Sequence, residues 1–350
     1  MQSFLQLVAH DLYAKIGNDL SRTALIFPNK RANLFFNEYL AGESDQPIWS
    51  PAAMSISDLF QKLSVQKSGD PIRLVCELYK VFKEETQSQE TLDDFYFWGE
   101  LLISDFDDVD KNMVDADKLF SNLQDLKNLM DDYEFLDKEQ EEAIQQFFQN
   151  FSIERRTELK EKFISLWDKL GTIYHHYREN LTELGIAYEG MLYRNVIEQL
   201  DTDQLKYDKY IFVGFNVLNK VENEFFRKLK DAGKALFYWD YDIFYTQQIR
   251  KHEAGEFLKR NLKEFPNELP ESFFDTFKEP KKIRYISAST ENAQARFLPE
   301  WIKMITDNHS QIAEEKEKEN AVVLCNEALL LPVLHSIPQE VKNVNITMGF

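Results

Sequence analysis

The 350-residue sequence is 43% apolar and 14% aromatic, which is enough to bury a sizeable core in about two or three domains. Its 41 basic and 60 acidic residues give a net charge of −19, opposite in sign to the charge of most nucleic-acid-binding proteins. DNA binding would therefore require a local basic groove built from few residues.

The N-terminal residues predict neither a targeting signal nor a membrane anchor. Residues 1–11 lack a basic region followed by a long apolar run, and no stretch approaches the ~18 uncharged apolar residues of a membrane span.

Cys76 and Cys325 each lie in an apolar stretch, without a cysteine or histidine at ligand spacing. This pattern predicts two buried, reduced thiols in a cytoplasmic protein.

A strand–loop–helix unit over residues 23–36 stands where nucleotide-binding enzymes place their phosphate loop. A working loop needs glycines that let backbone N–H groups approach the phosphates, a lysine for the terminal phosphates and a hydroxyl for Mg²⁺. Here the unit has no glycine, and the loop position is occupied by Asn29, Lys30 and Arg31. The unit therefore predicts a degenerate phosphate loop that does not support ATP hydrolysis.

The stretch from about Ser57 to Asp208 reads almost entirely as helix. Apolar residues recur there at three- and four-residue spacing between charged residues. Examples are Leu101, Leu102, Phe106, Leu119, Phe120, Leu123, Leu126 and Leu129. We interpret the stretch as a helical subdomain inserted into an α/β domain.

Two polar groups in this stretch resemble ligand sites only superficially. The acidic segment Ser104–Asp110 lacks the central glycine and terminal glutamate of a calcium loop, which favours a solvated turn or a contact between helices. His175 and His176 are adjacent and so cannot face one side of a helix. Both groups are therefore interpreted as surface or packing residues.

A second α/β unit begins near residue 210. Its predicted elements are a strand over Tyr210–Phe215, a helix over Lys220–Asp231 that stops at Gly233, and a strand over Ala235–Trp239. Strand, helix and strand fit within about 30 residues, the size of a parallel crossover unit. This rhythm, together with the first strand, predicts a parallel sheet.

The residues that follow these strands lack the second phosphate element of a motor ATPase. Such enzymes place a carboxylate there to hold Mg²⁺, whereas this chain has Asn216 and Asn219 after the first strand of the unit. An amide neither neutralises Mg²⁺ nor accepts a proton. Asp240 and Asp242 follow the next strand as an acidic pair without a third ligand, and we interpret them as loop residues at a strand end.

The C-terminal part predicts the start of a further α/β unit. Apolar runs at Ile283–Ser287 and Ala321–Cys325 predict strands, and the charge-rich stretch Asp307–Asn320 predicts an exposed connection. Residues Val344–Phe350 read as a strand that enters a turn with nothing after it. This pattern predicts that the segment is part of a longer protein.

Six segments together carry a family resemblance. They are Leu25–Ala32, Ile48–Phe60, Tyr188–Arg194, Phe212–Asn219, Phe237–Asp242 and Asn345–Gly349. In this order they resemble the N-terminal half of an AddB-type (RecB/AddB-like) protein, the helicase-like PD-(D/E)XK nuclease subunit of bacterial double-strand-break repair complexes. The departures at Lys30 and Gly214 from the pattern of a working motor resemble the inactive-motor members of that family.

The resemblance implies an α/β fold with a RecA-like (P-loop NTPase-like) parallel-sheet domain, a large all-helical insertion and the start of a second RecA-like domain. The implied bounds are residues 1–60 with 206–280 for the first domain, 61–205 for the insertion and 281–350 for the beginning of the second. The family's nuclease residues, with Mg²⁺ and in some members an iron–sulfur cluster, would lie beyond Phe350. No cofactor is therefore expected in this segment.

The resemblance also implies a non-catalytic DNA-handling module that binds DNA ends or single strands while an AddA-like ATP-driven helicase–nuclease subunit hydrolyses ATP. The DNA-contact candidates are Asn29, Lys30, Arg31, Asn216 and Asn219. Four aromatic residues are candidates for stacking on bases, although a core position is the commoner role of such residues. They are Phe35, Phe36, Tyr238 and Trp239.

Two other functions stay open. Lys30 and Arg31 at the start of a helix would still hold phosphate in a degenerate nucleotide binder. The large acidic surface also suits a protein-interaction scaffold that binds the motor subunit and not DNA. Binding of DNA, of ATP or of neither distinguishes the three functions.

Overall fold

The computed structural model describes residues 2–120, 156–247, 253–305 and 320–347. The chain divides into two compact units, residues 1–278 and residues 279–350. In the described ranges no helix combines the length and the apolar character that crossing a membrane requires.

Helices and short strands alternate in the first unit. Its first half contains α1 (Phe4–Ile16), β1 (Thr23–Phe27), α2 (Ala32–Ala41), β2 (Ala52–Ser55), α3 (Ile56–Leu63), β3 (Lys67–Ser68), α4 (Pro71–Thr86) and α5 (Leu92–Lys111). Its second half contains α6 (Arg156–Glu183), β4 (Ile186–Ala187), α7 (Glu189–Gln199), β5 (Lys209–Val213), α8 (Lys220–Asp231), β6 (Ala235–Tyr238), α9 (Ile243–Gln247) and α10 (Glu256–Glu264). The second unit contains α11 (Glu291–Arg296), α12 (Leu298–Ile305) and α13 (Leu330–His335).

Four strands form a parallel sheet in the order β2–β1–β5–β6. In its register Leu25 of β1 lies opposite Ala53 of β2 and Ile211 of β5, and Ile211 lies opposite Leu236 of β6. The central strands are continuous apolar runs and not alternating ones, because helices cover both faces of the sheet. The predicted α/β class and parallel sheet are thus confirmed.

The two faces of the sheet pack against different helices. Alternate residues such as Leu25 and Phe27 contact the cluster that contains α1 and α2, whereas Ala24 and Ile26 contact the cluster that contains α3, α7 and α8. Strands place successive side chains on opposite faces, which produces this division. Each face therefore has its own apolar core.

This arrangement creates a crevice at one edge of the sheet. The chain leaves β1 through α2 on one face, while it leaves the neighbouring strand β5 through α8 on the opposite face. In open parallel sheets, the carboxyl ends of two such strands form the topological switch point where ligands bind. The candidate site is therefore sought at the ends of β1 and β5.

The described residues between β2 and β5 are mostly helical, as the apolar periodicity predicts. The short parallel pair β3–β4 was not expected from the sequence; Lys67 lies opposite Ile186. The predicted apolar positions Leu123, Leu126 and Leu129 lie outside the described residues. Assignment of this stretch as an insertion into a RecA-like domain stays a prediction.

A buried carboxylate joins three helices of this stretch. Asp110 of α5 is fully buried and accepts hydrogen bonds from Tyr174 (2.6 Å), Arg178 and Tyr188, with Arg194 3.3 Å away. Burial alone would lower the pKa of Arg178, but the carboxylate of Asp110 raises it. Since two arginines compensate its charge, Asp110 forms a contact between helices, which is one of the two roles predicted for the segment Ser104–Asp110.

The adjacent histidines diverge, as predicted. The His175 ring lies 2.8 Å from an oxygen of Asp117, and the His176 ring lies 2.6 Å from an oxygen of Glu85. Both rings are about half exposed. They are surface residues with separate partners.

Two predictions from apolar runs are wrong. Residues 283–287 and 321–325 form no strand in the described part of the second unit, because an apolar run becomes a strand only where a neighbouring strand satisfies its backbone groups. Residues 344–347 form no strand either. Residues 307–319 and 348–350 lie outside the described ranges.

The prediction of two buried thiols is also wrong. Cys76 is only partly buried, and Cys325 is exposed.

Candidate functional site at the carboxyl edge of the sheet

The loop after β1 is short, polar and exposed. Asn29 accepts a hydrogen bond from the backbone N–H of Arg31 through its side-chain oxygen at 3.0 Å, which closes a local turn and fixes the loop. Lys30 and Arg31 are both exposed. The predicted phosphate-loop position thus lies at the carboxyl edge of the sheet, between the end of β1 and the start of α2.

The ammonium of Lys30 is held by a carboxylate of the same protein. Its Nζ atom lies 3.0 Å from Oδ1 of Asp58, which belongs to α3 at the carboxyl end of the neighbouring strand β2. The other oxygen of Asp58 accepts from the hydroxyl and the N–H of Ser55 in a capping box. The Ser55 hydroxyl first, and Lys30 in addition, lower the pKa of Asp58. A carboxylate therefore occupies the position that a phosphate would take beside Lys30.

The first turn of α2 has no side-chain cap at its N-terminus. The N–H of Leu34 donates to the carbonyl of Arg31 at 3.1 Å, and the N–H groups before it point away from the helix along its axis. The buried Oδ1 atom of Asn33 in this turn has no hydrogen-bond partner in the described structure. Leu34 and Phe35 expose 72% and 44% of their surface. The turn thus combines anion-binding backbone groups with apolar side chains that face solvent.

The loop after β5 is held from two sides. Gly214 adopts φ of 73°, a left-handed conformation that favours glycine, and its N–H donates to the carbonyl of Tyr238 at 2.9 Å. The carbonyl of Asn216 accepts from the buried Asn261 at 2.6 Å. Gly214 therefore serves to set the conformation of the turn. Asn216, whose carbonyl is held in this way, is an exposed residue.

Asn219 serves mainly as a helix cap. Its side-chain oxygen accepts from the N–H of Glu222 at 2.8 Å, and Glu222 accepts from the N–H of Asn219 at 3.1 Å. This reciprocal pair is a capping box that begins α8. The NH₂ group of the Asn219 side chain is left as a donor for a ligand.

The structure thus brings the five predicted residues to one edge of the sheet, in the loops of two neighbouring strands. Sequence reasoning missed two further residues there. Asp58 was signalled by the capping-box pattern Ser55–Asp58 directly after an apolar run, and Lys220 is the exposed first residue of α8. Together with Lys30 and Arg31, Lys220 adds a third cation after the ends of β1 and β5.

Three of the four aromatic candidates belong to the core. Phe36, Tyr238 and Trp239 are at most 1% exposed, and the hydroxyl of Tyr238 donates to Asp11 at 2.6 Å. Only Phe35 faces solvent. Base stacking at this edge is therefore restricted to Phe35 among these residues.

Asp242, the second residue of the acidic pair after β6, holds a loop in place through backbone hydrogen bonds. The carboxylate of Asp242 accepts from the backbone N–H groups of Phe244, Thr276 and Phe277 at 2.8–2.9 Å. Burial would raise the pKa of Asp242, but these donors outweigh it and hold the pKa below its usual value. Asp242 is thus used by the fold, as the interpretation of a loop residue predicts.

The metal groups that the family resemblance implies are expected beyond Phe350. Within the described ranges no three histidine, cysteine or acidic residues come close enough to hold a metal ion. The two cysteines stand in different units of the chain, and an iron–sulfur cluster requires several thiolates.

Comparison with known proteins identifies no family. No protein-family model matches the sequence, and no curated protein matches it significantly.

Proposed function

We propose that this chain is a non-catalytic, helicase-like DNA-handling module of a double-strand-break repair helicase–nuclease subunit. In this proposal the sheet is a degenerate RecA-like core, and the edge that holds Asn29, Lys30, Arg31, Asn216 and Asn219 contacts the DNA backbone. A separate AddA-like subunit would hydrolyse ATP. The proposal rests on the family resemblance of the sequence together with the chemistry of this edge.

The observation that carries the proposal is the basic, uncapped start of α2 at the switch point. Lys30 and Arg31 precede helix N–H groups that attract anions, and the exposed Phe35 one turn later suits stacking on a base. Phosphate contacts of this kind provide most of the affinity of sequence-independent DNA binding. The arrangement supports a DNA backbone contact more than nucleotide hydrolysis.

The same edge lacks the groups that hydrolysis requires. No glycine stands in the loop after β1, and Asn216 and Asn219 stand where a motor would hold Mg²⁺. These features favour a motor-like fold whose ATP site has been lost.

Binding of a labelled forked duplex, measured by fluorescence anisotropy at two salt concentrations, tests the proposal. We expect binding that weakens steeply with salt, and we expect Lys30→Ala with Arg31→Ala to reduce the slope of log affinity against log salt by about 0.9 for each lost phosphate contact. Lys259 and Arg260 of α10 form the same dipeptide in a helix, outside the loops that follow β1 and β5. Their double alanine variant is the matched control and should leave the slope unchanged.

Two outcomes would contradict the proposal. If the Lys30 and Arg31 variant retains the affinity and the salt slope of the wild type, DNA does not bind at this edge. If the wild type binds no DNA at micromolar protein concentration, the scaffold function is favoured. Titration calorimetry with millimolar ATP and Mg²⁺ tests the nucleotide-binding alternative. A measurable heat of binding would support that alternative, and no heat would remove it.

A further inference from the structure

A cleft of about 370 Å³ lies between the start of α4, the middle of α5 and the start of α7. Its floor is apolar and is formed by Leu74, Val75, Ile103 and Tyr188. The volume falls within the range of small-ligand pockets. None of the residues that line the cleft belongs to the sheet edge that holds Lys30.

The rim of the cleft is acidic. Glu100, Asp107 and Glu189 line it, and no lysine, arginine or histidine is among its lining residues in the described structure. Lys111 lies nearby and pairs with both Asp107 and Glu189, at 2.7 and 2.6 Å. One cation thus compensates two of the three carboxylates, whereas Glu100 shares a hydrogen bond with Tyr96.

The adjoining outer face of α5 is apolar and exposed. Phe97 and Leu101 stand one turn apart and expose 65% and 43% of their surface. The ring of Phe97 contacts the ring of Trp98, with centroids 6.0 Å apart. Because Glu100 and Ser104 follow at three- and four-residue spacing, the apolar face and the acidic rim form one continuous strip along the helix.

The far end of this strip carries further negative charge. Asp105 and Asp108 are exposed on α5 and stand three residues apart. Desolvation and the carboxylate of Asp108 raise the pKa of Asp105. A cation brought by a partner would relieve this repulsion.

We propose that the cleft and the outer face of α5 bind a basic amphipathic helix of a partner protein. Apolar side chains of that helix would cover Phe97 and Leu101. A lysine or arginine of the helix would lay its aliphatic stem against Leu74 and Ile103 and reach Glu100 with its charged head. Charge complementarity with this strip identifies the partner as basic, and the apolar face beside the cleft favours a helix over a small cation. The inference is independent of the proposed DNA contact.

A synthetic helical peptide of about 18 residues, with leucines one turn apart and lysines beside them, is the probe. Its affinity for the full chain is measured by titration calorimetry. We expect Glu100→Lys and Phe97→Ser each to weaken binding at least about tenfold. Glu256→Lys, an equal charge change at an exposed site on α10, should change affinity less than about twofold. Circular dichroism checks that each variant folds.

Three results would overturn the inference. Equal losses in the Glu100 and Glu256 variants would mean that the peptide responds only to overall negative charge. Unchanged affinity in the Phe97 variant would mean that the outer face of α5 takes no part. Equal binding of a peptide without leucines, together with displacement by spermidine, would mean that the cleft is a site for small cations.

Discussion

At the scale of single residues, Lys30 and Asp58 determine the chemistry of the sheet edge. The loop after β1 offers a lysine but no glycine, and the lysine is paired with a carboxylate that begins α3. An exposed ion pair of this kind is worth little, about 0.2–1 kcal/mol. If DNA binds at this edge, Asp58 competes only weakly with a DNA phosphate for the ammonium of Lys30. Removal of the Asp58 carboxylate should then give a small but measurable gain in affinity for DNA.

Asp58→Asn should release Lys30 and increase affinity for forked DNA about two- to fivefold, because the competing ion pair is lost. Fluorescence anisotropy at low salt is the measurement. Asp94 is a matched control, since it forms the same capping box with Thr91 at the start of α5 and pairs with no cation among the described residues. Asp94→Asn should leave DNA affinity unchanged. An Asp58→Asn variant with wild-type affinity would mean that Lys30 does not contact DNA.

At the scale of elements, close contacts determine how the helices α5, α6 and α7 pack against one another. Gly190 at the start of α7 lies so near α5 that an added Cβ would stand 2.4 Å from the backbone oxygen of Asp107. Asp110 of α5 then joins α6 and α7 through tyrosines and arginines. Helix packing here depends on one residue without a side chain and on one buried charge.

Gly190→Ala should lower the free energy of unfolding by about 1–3 kcal/mol, because α5 and α7 must move apart to admit the methyl group. Urea denaturation followed by circular dichroism measures the effect. Gly42 at the end of α2 is the control: an added Cβ there would stand 3.4 Å from its nearest neighbour, and φ is −78°. Gly42→Ala should change stability by less than about 1 kcal/mol. Equal effects of the two substitutions would contradict the close contact.

At the scale of the whole molecule, the two units have separate apolar cores. Among the described residues, the members of the two large clusters of the first unit lie no further along the chain than Phe274. The second unit has its own small cluster around Ala295, Leu298 and Val333. The stability of the first unit is therefore expected to depend little on the second.

A fragment of residues 1–278 should unfold cooperatively, with the same urea midpoint as the first unit of the full chain. The physical reason is that, among the described residues, the members of both large clusters belong to the first unit. Denaturation curves of the fragment and of the full chain are compared by near-ultraviolet circular dichroism. A fragment without a cooperative transition would show that the first core needs the second unit.

Local patterns in the sequence determined most of the first unit. The runs at residues 23–27 and 235–238 are strands, α8 spans the predicted Lys220–Asp231, and Gly233 follows it with φ of 66°. These elements follow from apolar periodicity and helix stops, which are properties of neighbouring residues. The position of the candidate residues at a strand end also followed, because parallel strands share one carboxyl edge.

Only the tertiary structure decided which polar groups meet. The pairing of Lys30 with Asp58 joins two strands that are neighbours in the sheet, and the burial of Asp110 joins three helices. The apolar runs at residues 283–287 and 321–325 became no strands, since backbone pairing depends on a neighbour that a local pattern does not specify. The sequence by itself thus determined three of the four strands of the large sheet, β1, β5 and β6, and the helix between the last two. Contacts between distant residues decided charge pairing, burial and the formation of β2, β3 and β4.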